Sequence, residues 1–498
     1  MINIKKLSHN INKLVQSQLF GYFIFSLILI FGFLLRLYKI NTPLADWHSW
    51  RQVDTSSVTK NYLENGINLL YPRYHDISSI QTGYQNPEGY RFVEFPVYNL
   101  AHAGVFKVSS GTLSLEVAGR LTNIIFALLV ATGLYLFVKR ASGNSWLGLI
   151  SSAFYMFIPY SIFYTRVILP DAMAAGFGVL GIWMFWEYIQ SERPWQVYLS
   201  AIFFSLGLLT KPFVAFYGLP VVFMAIKKYK MNIFKNFHLL LALDIALIPM
   251  LLWRIWISQK GLLVGVAHYK WAFNGDGIRF RPSFWRWIFA ERIAKLILGF
   301  WGLVPFAAGI IIRPYKKLDK YYQYVLWWLL GMLLYVSIIA TANVRHDYYQ
   351  IYLIPAVAIF LSFGSWQLWN NSVFNKSVSR IMLIFSIGMM VLIGFYEVKD
   401  YYKINDPAIM IAGAAVNKVS KADDLVVAPY NGNTAFLYQT GRWGWPVVET
   451  SIDDLIDKGA DWFVSTNKAD PDYENFKKRF RIFKETDDFL ILDLHHKI

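Results

Sequence analysis

Apolar runs long enough to cross a lipid bilayer recur along this chain, and they constrain its fold more than any other feature. A membrane's hydrocarbon core is about 30 Å thick, so a spanning helix needs about 20 largely apolar residues. We predict eleven spans, at residues 19–38, 117–138, 145–163, 172–189, 196–210, 212–227, 237–257, 290–312, 321–341, 348–367 and 380–397. Only 16% of the 498 residues are charged. The sequence therefore predicts an all-α polytopic membrane protein.

The distribution of basic residues indicates how the chain is oriented. The first apolar run follows Lys5, Lys6 and Lys13, and it is too long for a signal-peptide core, so we interpret it as a retained anchor with a cytoplasmic N-terminus. Dense basic clusters then occur in short turns on one predicted side, at residues 139–140, 227–235 and 313–320. The positive-inside rule assigns that side to the cytoplasm. We therefore expect an integral plasma (inner) membrane protein whose C-terminus is extracytoplasmic.

Two segments do not have the composition of membrane spans. The loop at residues 39–116 is too long for a simple connector, and from about residue 401 the composition becomes that of a soluble domain. There a helical pattern at 408–419 is followed by strand-like runs at 424–428, 462–465 and 489–494. We predict a membrane domain over residues 1–400 with a large first outer loop, 39–116. A small extracytoplasmic α/β domain would occupy residues 401–498.

The composition excludes several classes of function. The chain has no cysteine, which rules out disulfides, thiolate metal sites and a cysteine nucleophile. Its net charge of +16 comes largely from short loops between apolar runs, so we expect membrane lipids and not nucleic acid as partners. Carboxylates and histidines are present, but no spacing indicates a tight divalent-metal site. The sequence thus indicates no cofactor and no particular metal ligands, and a divalent metal stays open as the alternative.

Five polar motifs, far apart in the sequence, all fall on the predicted outer side. They are Asp46-Trp-His48-Ser-Trp-Arg51-Gln52-Val-Asp54, Glu94-Phe-Pro96, Arg166-Val-Ile-Leu-Pro170-Asp171, Thr210-Lys211-Pro212 and Arg345-His346-Asp347-Tyr348-Tyr349. Ordinary structural roles are open to several members: a helix cap for Asp171, snorkelling for Lys211, an aromatic belt for His346, Tyr348 and Tyr349, and an ion pair for Arg51 and Asp54. Their common side nevertheless predicts one shared active site.

The residue types in these motifs suit the transfer of a group from a lipid phosphate. Arg166, Lys211 and Arg345 offer cations at the membrane face where a lipid phosphate would lie. Nearby carboxylates offer a general base for the acceptor, and a departing phosphate needs no general acid. If the transferred group is a sugar, a single displacement of this kind inverts its anomeric centre. A transporter or flippase of lipid-linked sugars is the alternative, although the internal repeats typical of transporters are not visible.

The chain resembles integral-membrane glycosyltransferases of the GT-C fold, in particular the protein O-mannosyltransferase and aminoarabinose-transferase-like group (glycosyltransferase family 39 type). The resemblance covers about residues 19–370. It lies in the acidic first loop, in Glu94-Phe-Pro96, in Arg166 to Asp171, in Leu209-Thr-Lys-Pro212, and in Arg345 to Tyr349 followed by Pro355. It implies a polyprenyl-phosphate sugar donor and an acceptor that is a lipid, a glycan or a protein of the cell envelope.

The resemblance also implies roles for individual residues. The family's first loop carries the catalytic Asp, usually followed by Glu; this chain lacks that pair, so Asp46 is the counterpart and Asp54 its competitor. Arg166, Lys211 and Arg345 would bind the donor phosphate. The remaining substrate-binding candidates are His48, Arg51, Glu94, Asp171, His346, Tyr348 and Tyr349. Lys211-Pro212 replaces the family's common Lys-Gly. The glycosyltransferases that this chain resembles generally work without a metal.

Overall fold

The computed structural model describes residues 18–260, 270–312, 318–370 and 375–498. These residues form two compact units, each assembled from separate parts of the chain. The first unit comprises the described residues within Met1–Tyr38, Asn123–Trp253 and Tyr269–Asp400, and the second comprises those within Lys39–Thr122, Arg254–His268 and Tyr401–Ile498. The first loop thus belongs to the same unit as the C-terminal hundred residues. The division into domains at residue 400 stays a prediction.

The first unit is helical. Its α-helices are Gln18–Arg36, Leu115–Ser142 (from Asn123 onwards), Ser145–Phe157, Pro159–Tyr164, Pro170–Ser191, Pro194–Thr210, Gly218–Tyr229, Phe237–Gln259 (up to Trp253), Pro282–Arg286, Leu303–Ile311, Asp319–Ile338, Ala340–Arg345, Ile354–Trp369 and Lys376–Val398. Short 3-10 helices occupy Pro212–Tyr217, Lys230–Lys235, Ile278–Phe280 and Asp347–Leu353, and Trp287–Ile297 is a π-helix. Helices suit a bilayer because they satisfy their own backbone hydrogen bonds.

Within the described parts of the chain, seven helical stretches are long and apolar enough to cross a membrane. They are Gln18–Arg36, Leu115–Ser142, Pro170–Ser191, Phe237–Gln259, Tyr321–Ile338, Asp347–Trp369 and Lys376–Val419. Ser145–Phe157 and Pro194–Thr210 are shorter apolar helices. Every one of the eleven predicted spans coincides with helix in the structure, so the predicted all-α membrane architecture is confirmed. The predicted number of eleven crossings is not confirmed, because several of these helices are too short to span a bilayer alone.

Large apolar side chains on the outside of these helices mark the surface that faces lipid. Leu252 on Phe237–Gln259 is 60% exposed, and Ile381 on Lys376–Val398 is 68% exposed. Such surfaces would cause aggregation in water but match hydrocarbon. The basic residues Lys227 and Lys228 lie in the last turn of Gly218–Tyr229. The predicted basic residues 313–317 lie outside the described residues.

The C-terminal part of the second unit contains the predicted α/β fold. Its strands are β1 (Leu425–Val427), β2 (Trp443–Trp445), β3 (Ala460–Ser465), β4 (Phe480–Glu485) and β5 (Leu490–Lys497), in the order β2-β1-β3-β5-β4. β2, β1 and β3 are parallel, whereas β3, β5 and β4 are antiparallel. The helices are Pro407–Val419, Ala435–Thr440, Ile452–Asp457 and Pro471–Lys477. The predicted helix and three predicted strands are present; β2 and β4 were not predicted.

The first loop contributes two helices, Ser49–Asn65 and Val97–Val108, and extends the C-terminal sheet. Residues 75–77 lie parallel to β2: Ile77 N donates to Gly444 O at 3.0 Å, and Gly444 N donates to His75 O at 3.0 Å. The Ile77 side chain is buried in the core of the C-terminal sheet with Val427 and Trp445. The loop and the C-terminal segment therefore share one hydrophobic core.

Candidate active site

Asp46 lies fully buried just before the helix Ser49–Asn65. Its Oδ1 accepts a hydrogen bond from Gln52 Nε2 at 2.7 Å, and its Oδ2 lies 3.6 Å from Arg120 Nη2. Arg120 is itself fully buried and donates to the backbone oxygens of Ile40 and Thr42. A nearby guanidinium favours the charged form of a carboxylate. Asp46 is therefore held in place beside a positive charge.

Asp54 is also fully buried, but its partners are different. Its Oδ1 accepts from the hydroxyl of Thr434 at 2.7 Å, and its Oδ2 lies 3.0 Å from Arg91 Nη2. Both oxygens are thus engaged at short distance, one of them by a residue of the C-terminal segment. Asp54 joins the first loop to that segment.

The two predicted motifs of the first loop meet through an ion pair. Arg51 donates to Glu94, and only 5% and 12% of the two side chains are exposed. His48 precedes the helix with φ 53°, a left-handed conformation that is strained for a residue other than glycine. Such strain often accompanies a functional site.

Two further titratable residues are buried in the first loop. Burial lowers the pKa of His75 to about 4, and burial raises the pKa of Asp76 to about 7. His75 Nε2 lies 3.2 Å from the carbonyl oxygen of Thr434. Thr434 therefore bonds to both His75 and Asp54, through different atoms. Sequence reasoning did not single out His75, Asp76 or Thr434.

In the first unit, the motif containing Lys211 meets the motif containing Tyr349. Lys211 is 3% exposed, and its Nζ lies 5.7 Å from the ring centroid of Tyr349 and 5.9 Å from that of Phe213. It follows the helix Pro194–Thr210, which cannot continue through Pro212. The ammonium is thus directed inward and does not snorkel to the surface.

The third motif of this unit contacts the same region. Asp171 is 1% exposed, and its Oδ1 accepts from Tyr352 OH at 3.3 Å. It lies in the first turn of Pro170–Ser191. Arg166 is fully buried and donates to the backbone oxygen of Tyr38. The first unit therefore joins Asp171, Lys211 and the tyrosines that follow Arg345.

Arg345 and His346 lie nearer the surface than the rest of their motif. The Arg345 side chain is 60% exposed and pairs with Asp276 at 2.7 Å. The His346 ring stacks on Tyr348 with centroids 5.4 Å apart, and Tyr348 is buried. Asp347, between them, accepts from Tyr164 and lies 3.7 Å from Arg292. Arg345 is the most accessible of the three predicted phosphate-binding cations.

Several partner residues were missed by sequence reasoning. Arg91 and Arg120 pair with the two candidate aspartates, and Arg292 pairs with Asp347. Arg120 offered a signal, since an arginine near the start of an apolar run is costly unless it is paired. Among the described residues, no group of three His, Asp or Glu side chains is arranged to hold a metal ion.

The fold matches that of solved membrane glycosyltransferases. The ArnT protein of Cupriavidus metallidurans, in a structure bound to undecaprenyl phosphate, aligns with a TM-score of 0.61 and 11% identity, over 96% of this chain and 98% of that one. The oligosaccharyltransferase AglB of Archaeoglobus fulgidus, in complex with an inhibitory peptide and a dolichol-phosphate, aligns with a TM-score of 0.55 and 10% identity, over 90% of this chain and 70% of that one.

The chain is therefore an integral membrane protein of the GT-C fold. Residues 95–256 match the family model described as dolichyl-phosphate-mannose-protein mannosyltransferase, which extends over about a third of the chain. The predicted resemblance to GT-C glycosyltransferases is thereby confirmed. No curated protein sequence matches the chain.

Proposed function

We propose that the chain is an inverting glycosyltransferase, which moves a sugar from a polyprenyl-phosphate donor to an acceptor hydroxyl or amine on the extracytoplasmic face of the plasma membrane. The observation that carries the proposal is the buried Lys211, held with Tyr349 and near the Asp171–Tyr352 pair by three separate segments of a GT-C fold. An ammonium buried in this way suits an anionic headgroup. The likeness to a structure that holds undecaprenyl phosphate supports that donor.

The proposed reaction is one displacement at the anomeric carbon. The Asp46 carboxylate takes the proton of the acceptor group, and the acceptor atom forms a bond to C1. The bond from C1 to the phosphate oxygen breaks, and its electron pair leaves on polyprenyl phosphate. Lys211, Arg166 and Arg345 stabilise the charge that develops on that phosphate. The substituent at C1 is inverted.

The other predicted site residues receive supporting roles in this proposal. Asp54 holds the first loop, since both its oxygens are engaged by Arg91 and Thr434. Glu94, Arg51 and His48 shape the loop beside Asp46 and line the substrate site. Asp171, His346, Tyr348 and Tyr349 would contact the donor sugar or position Lys211.

Binding of polyprenyl phosphate by purified full-length protein tests the donor assignment. We expect Lys211→Met to weaken binding by about 10-fold to 150-fold, the effect of losing a hydrogen bond to a charged group. Lys139→Met is the matched control, because Lys139 Nζ likewise lies over two aromatic rings, those of Tyr22 at 4.6 Å and Tyr135 at 5.3 Å. Equal affinity in wild type and Lys211→Met would contradict the assignment.

Transfer itself is tested with synthetic polyprenyl-phosphate mannose, glucose and 4-amino-4-deoxyarabinose, with a membrane glycolipid and glycoprotein extract as the acceptor. We expect release of polyprenyl phosphate and a product of inverted configuration. Movement of the lipid-linked sugars across vesicle membranes without transfer would instead establish the transporter or flippase alternative.

A further inference from the structure

A polar cavity of about 220 Å³ lies within the second unit, where the first loop packs on the C-terminal segment. Lys60 and Glu64 line it from the helix Ser49–Asn65, His75 lines it from the loop, and Arg442 and Trp443 line it from the C-terminal segment. The cavity is smaller than the roughly 300 Å³ at which pockets for drug-sized ligands begin. It suits a ligand the size of a single sugar ring.

One buried acceptor in the lining lacks a hydrogen-bond partner. His75 is 5% exposed, and its Nε2 must carry the ring proton, because the Thr434 carbonyl 3.2 Å away can only accept. Burial lowers the pKa of His75 to about 4, so the ring is neutral at pH 7 and Nδ1 keeps its lone pair. Within the described residues, Nδ1 has no hydrogen-bond partner. A buried acceptor in this state is costly unless a ligand satisfies it.

Among the described residues, one buried donor in the lining likewise lacks a hydrogen-bond partner. The Nε of Arg442 has no hydrogen-bond partner in the part of the chain that the structure describes, whereas its Nη2 donates to Ser420 O at 2.7 Å and Asn417 O at 3.1 Å. The residues that line the cavity thus include one unused acceptor and one unused donor, both buried. A hydroxyl group both donates and accepts, so a polyhydroxyl ligand satisfies both.

The charges of the lining favour a neutral ligand over an anion. Lys60 pairs with Glu64 at 3.8 Å and donates to Gly441 O at 3.4 Å, and Arg442 is held by backbone oxygens. Each cation is therefore already partly compensated. The indole of Trp443 adds an apolar ring against which the C–H face of a sugar can pack.

We propose that this cavity binds one neutral sugar residue of the acceptor, which makes the acceptor a glycan. The inference rests on the proposed glycosyltransferase function and specifies its acceptor class. On binding, the His75 and Arg442 side chains would turn so that the buried Nδ1 and Nε atoms reach the cavity, where the sugar would donate one hydroxyl to His75 Nδ1 and accept from Arg442 Nε. Because Thr434 bonds to both His75 and Asp54, occupancy of the cavity would also stabilise the loop that carries Asp46.

Binding of the full chain in detergent to an array of neutral oligosaccharides, without donor, tests the proposal. The informative variant is His75→Gln, whose amide nitrogen can still donate to Thr434 while the acceptor at the Nδ1 position is lost. His102→Gln is the matched control: His102 is buried, its Nε2 lies 2.7 Å from Leu115 O, its Nδ1 lacks a partner among the described residues, and it does not line the cavity. We expect wild type and His102→Gln to bind at least one glycan, and His75→Gln to bind it about tenfold more weakly.

Glycan binding by His75→Gln is compared with binding by a second variant, His75→Asn. The amide oxygen of this second variant can replace Nδ1 as acceptor and should restore part of the affinity. In the transfer assay, His75→Gln should raise the KM for a glycan acceptor and leave kcat unchanged. Equal binding by wild type and His75→Gln, absence of binding to every glycan, or displacement of a bound glycan by inorganic phosphate would overturn the proposal. Glycan binding without any sugar transfer would instead overturn the proposed function.

Discussion

Asp46 and Asp54 are both buried on the first loop, and their partners predict different consequences of mutation. Asp46→Asn keeps the shape of the side chain and its contact with Gln52 but removes the base. We expect it to lower kcat by about 10²-fold to 10⁴-fold, the usual contribution of a general base. Because it also leaves the buried Arg120 without its carboxylate, the unfolding midpoint should fall as well. The measurement is sugar transfer at saturating donor together with the unfolding midpoint.

Asp54→Asn should act mainly on stability. It leaves Arg91 without its carboxylate in a site where Asp54 is fully buried, and losing one partner of a buried ion pair costs about 3–5 kcal/mol. We expect a lower unfolding midpoint, with residual activity in the fraction that remains folded. An inactive Asp54→Asn protein of wild-type stability would show that the two roles are exchanged.

Two buried groups of the first loop predict a pH dependence of stability. Burial lowers the pKa of His75 from 6.5 to about 4, so the unfolded chain binds a proton that the folded one does not, and stability falls as pH drops through this range. Burial raises the pKa of Asp76 from 3.8 to about 7, so the folded chain binds the extra proton, and stability rises as pH drops. The two effects oppose each other between about pH 4 and pH 7.

Asp76→Asn removes the second effect and leaves the first. We expect its unfolding midpoint, followed by tryptophan fluorescence, to fall more steeply than that of wild type as the pH is lowered from 7 to 5. Asp488→Asn, at an exposed position, serves as the control and should follow wild type. Parallel curves for Asp76→Asn and wild type would contradict the prediction.

The sequence pointed to the candidate residues but could not supply their partners. Asp46, Asp54 and Glu94 were recognisable because polar residues cluster there beside an apolar span. The bond from Thr434 to Asp54 joins residues 380 positions apart, and no local pattern encodes such a contact. The difference between the two aspartates was therefore visible only in three dimensions.

At the scale of elements, the pairing of residues 75–77 with β2 depends on a glycine. Gly444 has φ 153°, and a Cβ there would lie 1.8 Å from Val426 O. We expect Gly444→Ala to destabilise the second unit by about 2 kcal/mol or more, since it adds backbone strain and a clash in the sheet. Gly388→Ala, in a helix with open space around it, should be neutral in the same thermal unfolding experiment.

Helices and strands were predicted where their sequence pattern is strong and were missed where it is weak. Every predicted span coincides with helix because a membrane helix must be apolar over most of its length. β2 has three residues, one of them glycine, which is too short for an alternating pattern. β4 reads Phe-Arg-Ile-Phe-Lys-Glu, and all residues after Phe480 are exposed, so no buried face marked it as a strand.

At the scale of the whole molecule, the second unit predicts that the C-terminal hundred residues cannot be removed. Truncation after Asp400 would take away Thr434, β2 and the core around Ile77, and would leave Asp54 and the loop without these partners. We expect the truncated protein to lose transfer activity and to be degraded by proteases within residues 39–122. Limited proteolysis of purified membranes measures this, and a truncated protein with wild-type activity would contradict it.

The pairing of residues 75–77 with β2 also determines when, during synthesis of the chain, the first loop can complete its fold. His75 bonds to Thr434, which is made 359 residues later. At roughly 5–20 residues per second, the ribosome needs about 20–70 seconds to cover that distance. During this interval the first loop is already made but has no sheet to join, so its buried polar residues stay hydrated until the last helix has been inserted. The enzyme we propose would thus remain inactive until its synthesis is nearly complete.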